Sequence, residues 1–239
     1  MTRQTSGGAS AVERSAPHAP HRLHEPVPSE PGDVAGAQRR PQITMTQHEA
    51  TPSAQDLETL SRQLGRPVRD VVEIPARCCC GNPLVAATAP RLSNGIPFPT
   101  TYYLTHPTVV QAVSRLEAAG VMAEMTERLA ADELLAAGHR AAHEDYLERR
   151  EQIRRRAGLD PVWEIDGVSA GGMPERVKCL HVLVGHALAV GPGITPLGDE
   201  TLERIVEDWT PQMCTCATAW DHDADVPTED LSRHVRRRS

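Results

Sequence analysis

The chain has 239 residues, a formal net charge of −7 and an aromatic content of 3%, in three Trp, three Tyr and one Phe. That length allows one domain with tails, or two small ones. The acidic balance and scarce rings argue against a large nucleic-acid face or a base-stacking platform, and no stretch approaches the roughly 20 apolar residues that cross a bilayer.

Residues 1–52 are rich in Pro, Ser, Ala, Gly and His, with one Leu (Leu23), one Ile (Ile43) and no aromatic. Such a segment cannot offset its ordering entropy by burial, so a disordered tail is expected. It also lacks the apolar core of a signal peptide. The chain therefore reads as cytoplasmic, where its six cysteines are expected as thiols or ligands rather than disulfides. His18, His21 and His24 read as solvated tail residues, and Met45 offers an alternative start.

Order is expected from Ser53, an N-cap with Asp56 three residues on in a variant capping box. Leu57, Leu60 and Leu64 then share a helical face, and Gly65 with Pro67 stops the helix. The β-branched run 68–74 predicts a strand. A turn follows at Arg77-Cys78-Cys79-Cys80-Gly81-Asn82-Pro83. Residues 84–88 and 98–104 predict two strands joined around Asn94-Gly95, a pair suited to a type I′ hairpin.

From Thr105 the pattern turns helical, with Thr105 as N-cap and Pro107 in the first turn. Val109, Val110, Val113 and Leu116 form an apolar stripe ending at Gly120. A long helical stretch over 123–156 follows, with Gly138 as its candidate interruption. Its Arg149-Arg150 and Arg154-Arg155-Arg156 clusters, interspersed with Glu148 and Glu151, read as a solvated face rather than a phosphate patch. Gly171-Gly172-Met173-Pro174-Glu175 is expected to open a helix running to about Val190, and 196–208 supplies a last one. Residues 209–239, acidic at Asp221, Asp223 and Asp225 and then basic at Arg233 and 236–238, read as a second tail. The expected fold class is α+β: one domain over 53–208 with a small three-stranded antiparallel sheet, covered on one face, and about five helices.

Several motifs in this stretch resemble those of the uncharacterised bacterial family called domain of unknown function 501. They are Arg77-Cys78-x-x-Gly81-x-Pro83, Asn94-Gly95-Ile96-Pro97-Phe98-Pro99-Thr100 running into Tyr103-Leu104-Thr105-His106-Pro107, and Val177-Lys178-Cys179-Leu180-His181 with His186 and Pro196-Leu197-Gly198. Cys79 and Cys80 are not part of the family motif. The resemblance implies a cytosolic bacterial protein encoded near a septum-formation initiator and an exopolyphosphatase. It implies no activity, and its link to cell division or phosphate metabolism is an association only.

The sharpest chemical candidate is a metal site built from Cys78, His106, Cys179 and His181, holding zinc or an iron–sulfur cluster. Joint ligation by Cys179 and His181 requires the helix to begin after Cys179; inside a helix the two would point about 200° apart. Cys179 and His186 would lie too far apart along the axis to share an ion. Cys78-x-Cys80 lacks the paired C-x-x-C spacing of a zinc ribbon. Cys214-Thr215-Cys216 with His222 falls in the expected tail and offers at most three donors. Two further readings are a cysteine nucleophile, Cys78 or Cys179 paired with His181 or His106, and an anion site at Gly171, Gly172 and Lys178. The leading functional expectation is a non-enzymatic accessory module with a protein partner and no nucleic acid or membrane span; metal or iron–sulfur binding is the alternative.

Overall fold

A computed structural model describes residues 51–228 of the chain. Residues 1–50, including His18, His21 and His24, and the terminal Arg cluster lie outside the described residues. Within them the order is α1 (Ala54–Leu64), β1 (Val71–Arg77), β2 (Pro83–Thr88), β3 (Tyr102–Leu104), α2 (Pro107–Ala118), α3 (Val121–Ala131), α4 (Glu133–Arg156), α5 (Leu180–Val190), α6 (Pro196–Arg204) and α7 (Cys216–Ala219). The fold is α+β, with seven helices where about five were expected, and the sheet is antiparallel in the order β1-β2-β3.

Helix α1 starts as its sequence dictates. Ser53 caps it, Asp56 completes a reciprocal capping box, and Gly65 ends it in the left-handed region at φ 62°. Strand β1 begins three residues later than the apolar run implied, because Asp70 takes φ 58° and turns the chain first. The Asn94-Gly95 turn is also not type I′, since only Gly95 takes positive φ. It is a three-residue loop in which Leu92 N–H donates to Ile96 O and Gly95 N–H to Leu92 O. This turn lies within a long connection, and β3 itself is confined to three residues.

Every residue of β2 is buried. Leu60 of α1 packs with Ile74 and Ala86 on one face of the sheet. Val85, Ala87, Tyr102 and Leu104 join Leu180, Leu183 and Val184 of α5 in the main core. The sheet is therefore covered on both faces, not one. Helix α5 is apolar nearly all round, as a central helix must be. It lies so close to β3 that a Cβ on Gly185 would come 3.0 Å from Tyr102 O.

The long helical stretch breaks at Asp132 rather than Gly138. The Asp132 side chain caps α4 by accepting from Leu135 N–H, while Gly138 stays helical and gives Pro196 room to approach. The arginines near the end of α4 are not simply solvated: Arg150 is buried and donates to Ile165 O and Val168 O. Arg149 pairs with Asp145, Arg154 and Arg155 with Glu151, and Arg156 with Glu73.

Two expectations about the later chain are corrected. Residues 171–175 form turns, 176–179 are irregular, and α5 starts only at Leu180 with Cys179 as its N-cap residue. Residues 209–228 are not a detached tail. Trp209 is 1% exposed and belongs to the main core with Cys216. Thr215 Oγ1 donates to Thr108 Oγ1 at 3.0 Å, and Arg62 Nε donates to Ala224 O at 3.0 Å. The missing periodicity signalled an irregular backbone rather than an unburied one.

Candidate metal centre

The hairpin between β1 and β2 has a five-residue tip, Cys78 to Asn82. Cys78 N–H donates to Asn82 O and Gly81 N–H to Cys78 O, both at 2.8 Å, with Gly81 at φ 92°. Arg77 pins this tip. Its guanidinium makes two hydrogen bonds to the Asp56 carboxylate, at 2.6 and 3.0 Å, and one to Gly81 O at 3.0 Å. The guanidinium beside Asp56, aided by the Ser53 bonds, outweighs burial and holds that carboxyl down at about 2.

The C-terminal segment then delivers Cys214 and Cys216 to the tip. The Sγ atoms of Cys78, Cys80, Cys214 and Cys216 all lie within 4.8 Å of one another. Cys80 Sγ is 3.4 Å from Cys216 Sγ, across 136 positions of sequence. Cys78 and Cys216 are buried, Cys80 and Cys214 exposed. A tetrahedral ion with Zn–S bonds of about 2.3 Å needs sulfurs about 3.8 Å apart, so the spacing suits one ion. Cluster ligands bind different irons and stand farther apart, so the spacing suits an iron–sulfur cluster less well.

Burial raises the Cys78 thiol well above its ordinary value and the Cys216 thiol to about 12. At Cys80 burial acts upward too, but hydrogen bonds from the Asn82 backbone and the neighbouring thiols prevail and bring it to about 7. The site thus holds one readily ionised thiol beside two that give up a proton only to a strong competitor.

His106 sits beside the four sulfurs. It is fully buried, its Nε2 is 3.3 Å from Cys216 Sγ, and the Trp220 ring meets it edge-on. Burial lowers its pKa to about 4, so the ring is neutral at pH 7. As the Nε2–H tautomer it donates to the sulfur, which places it behind a ligand rather than among the ligands.

The structure does not bring the four expected donors together. Cys78 and His106 belong to this thiol centre. Cys179 and His181 form a separate group with Glu117, which sequence reasoning missed. The condition set by helix geometry is met there: Cys179 is extended, at φ −156° and ψ 115°, and the helix begins after it. Glu117 Oε1 accepts from Leu180 N–H at 2.7 Å and lies 3.1 Å from His181 Nδ1, while Cys179 Sγ is 3.9 Å from the same nitrogen. The Cys179 contact and then the Glu117 charge outweigh burial and raise His181 to about 9. His186 turns elsewhere, stacking on Tyr102 and meeting Asp145 at 2.7 Å.

The Gly171-Gly172 pair does not stand at a helix N-terminus, the geometry on which its anion reading relied. Gly172 takes φ 94°, and a Cβ there would lie 2.7 Å from Arg176 O and 2.9 Å from Lys178 N. The glycine answers to a tight turn before α5, whose first N–H groups include Leu180, already occupied by Glu117.

Cys80 and Cys214 went unrecognised as partners because each C-x-C pair is incomplete alone. The usable signal was their identical spacing at the two ends of the domain. Glu117 carried no local signal beyond its position one turn beyond Ser114 on the α2 face.

Fold and site define an α+β domain carrying two separate clusters of side chains of the types that can ligate a metal. Residues 74–203, more than half of the chain, match the family described as protein of unknown function (DUF501), and the chain belongs to this family. The match ends before Cys214 and Cys216. No curated protein and no solved structure matches the chain. Among the described residues no helix is long and apolar enough to cross a membrane.

Proposed function

We propose that this chain is a zinc protein whose ion is held by Cys78, Cys80, Cys214 and Cys216 and ties the C-terminal segment to the β1–β2 hairpin. The observation that carries this reading is the convergence of two C-x-C pairs, from opposite ends of the domain, to within 4.8 Å. Four thiolates around one ion form a closed coordination shell, which is the structural rather than the catalytic arrangement. The metal would displace thiol protons, and its binding energy would become folding energy for the segment it anchors. Zinc content of the full chain tests this. At least one equivalent is expected as purified, and Cys214→Ser/Cys216→Ser should remove it. Zinc unaffected by that double substitution, or iron in its place, would overturn the reading.

A second reading, an accessory module that binds another protein, draws on one feature. Trp163 is 78% exposed beside a groove formed with Leu147, Arg154 and Pro161, and exposed aromatics recur as interface anchors. Trp163→Ala should abolish capture of one specific partner from the native host while leaving zinc content unchanged. Capture that persists in the variant would remove the support.

A further inference from the structure

We propose that Glu117, Cys179 and His181 form a second and independent metal site, open on one side, for a divalent ion of the zinc class. The donors come from the last turn of α2 and the start of α5, two helices packed against each other. One atom from each lies within 4.8 Å of the other two. The individual spacings, 3.1 Å from Glu117 Oε1 to His181 Nδ1 and 3.9 Å from Cys179 Sγ to the same nitrogen, bracket the roughly 3.3–3.6 Å edges of a tetrahedron with zinc-type bond lengths.

An independent observation fixes which ring nitrogen is offered. His181 Nε2 lies 3.2 Å from Val110 O and 3.2 Å from Ser114 Oγ. A carbonyl oxygen can only accept, so Nε2 carries hydrogen. On metal binding the ring would release its Nδ1 proton, and the freed lone pair would face Cys179 and Glu117. A ligand histidine whose other N–H donates to a backbone carbonyl is the recurring outer-shell arrangement of zinc sites. The Leu180 N–H bond to Glu117 Oε1, at 2.7 Å, orients the carboxylate in the same way.

All three residues are half-buried, with His181 and Glu117 side chains 24% and 23% exposed. Three protein donors at a partly open position leave the fourth place to water or to an incoming oxygen or sulfur ligand. That coordination belongs to reactive rather than purely structural zinc. The competing account is an ion pair that only caps α5. It explains the Glu117 contacts with Leu180 and His181, but it gives no role to the sulfur beside them.

Cobalt titration under anaerobic conditions tests the site. The full chain would carry His18→Ala/His21→Ala/His24→Ala to remove the tail histidines. Two equivalents of Co²⁺ are expected, one with the intense charge-transfer bands of four thiolates and one with the weaker bands of a single thiolate. His181→Ala and Cys179→Ser should each remove the second equivalent. The intact four-thiolate spectrum would show that those variants fold; if that spectrum is absent in the parent, far-UV circular dichroism serves instead. Cys80→Ser/Cys214→Ser should remove only the first equivalent. A parent that takes one equivalent, lost on His181→Ala, would sustain this site and sink the four-thiolate reading. A parent that takes none, or whose single-thiolate equivalent survives both His181→Ala and Cys179→Ser, overturns it.

Discussion

The thiol centre and the Glu117 group use similar atoms in opposite ways. At the first, four sulfurs converge from a hairpin tip and an irregular C-terminal segment that is otherwise held by Trp209, Cys216 and a few hydrogen bonds. At the second, a carboxylate, a thiol and an imidazole sit on two helices already packed against each other. An ion at the first site would fasten the C-terminal segment to the hairpin, whereas an ion at the second would be held by two helices already packed. Ligand chemistry alone therefore does not say what a metal does. How much of the scaffold exists without the metal decides it.

Trp209 carries the largest expected effect. Trp209→Ala should cost about 3–5 kcal/mol in urea unfolding by emptying a core position, and should loosen the segment bearing Cys214 and Cys216. Zinc at the thiol centre should fall while cobalt at the Glu117 group persists; equal loss at both would show that the two regions are not separable. Chelation follows in size. Stripping zinc held at about a hundred times its dissociation constant should remove about 3 kcal/mol of stability. Limited proteolysis should then cut first within 205–220, and cutting elsewhere would deny the segment its dependence on metal.

Acid acts on the hairpin side of the thiol centre. Asp56 is held at about 2, below its ordinary 3.8, so the folded form binds that proton less readily than the unfolded form. Its contribution, up to about 2 kcal/mol, is present above pH 4 and is lost as pH falls toward 2. In zinc-free protein, Asp56→Asn should flatten the dependence of the urea midpoint on pH in that window; an unchanged slope would detach Asp56 from the hairpin. The smallest effect belongs to Glu117. Glu117→Ala removes the acceptor for Leu180 N–H and should lower stability by about 1 kcal/mol. Glu117→Gln should restore most of that loss without restoring cobalt affinity at the second site. Recovery of both would reduce Glu117 to a helix cap.

The fold was legible wherever local chemistry and burial agreed. Ser53, Asp56 and Gly65 specify the ends of α1 through their own backbone hydrogen bonds, and Pro107 opens α2. The second face of the sheet was not legible. β2 is short and apolar, and nothing in its spacing says that α1 returns to cover it. Residues 209–228 failed for a related reason. Their order rests on Trp209 in the core and on single contacts to Thr108 and Arg62, which leave no periodic trace.

Local sequence chemistry specified an α+β chain of the family matched over 74–203, with a helix start beyond Cys179 as the condition for Cys179 and His181 to act together. That condition is local, because it follows from the rotation per residue of a helix. Which donors meet was set by the packing of distant elements. That packing parted Cys78 and His106 from Cys179 and His181, joined the first pair to Cys80, Cys214 and Cys216, and gave the second pair Glu117. Ligand sets are distances between elements far apart in the chain, and those distances come from how the core packs rather than from the spacing of the residues that use them.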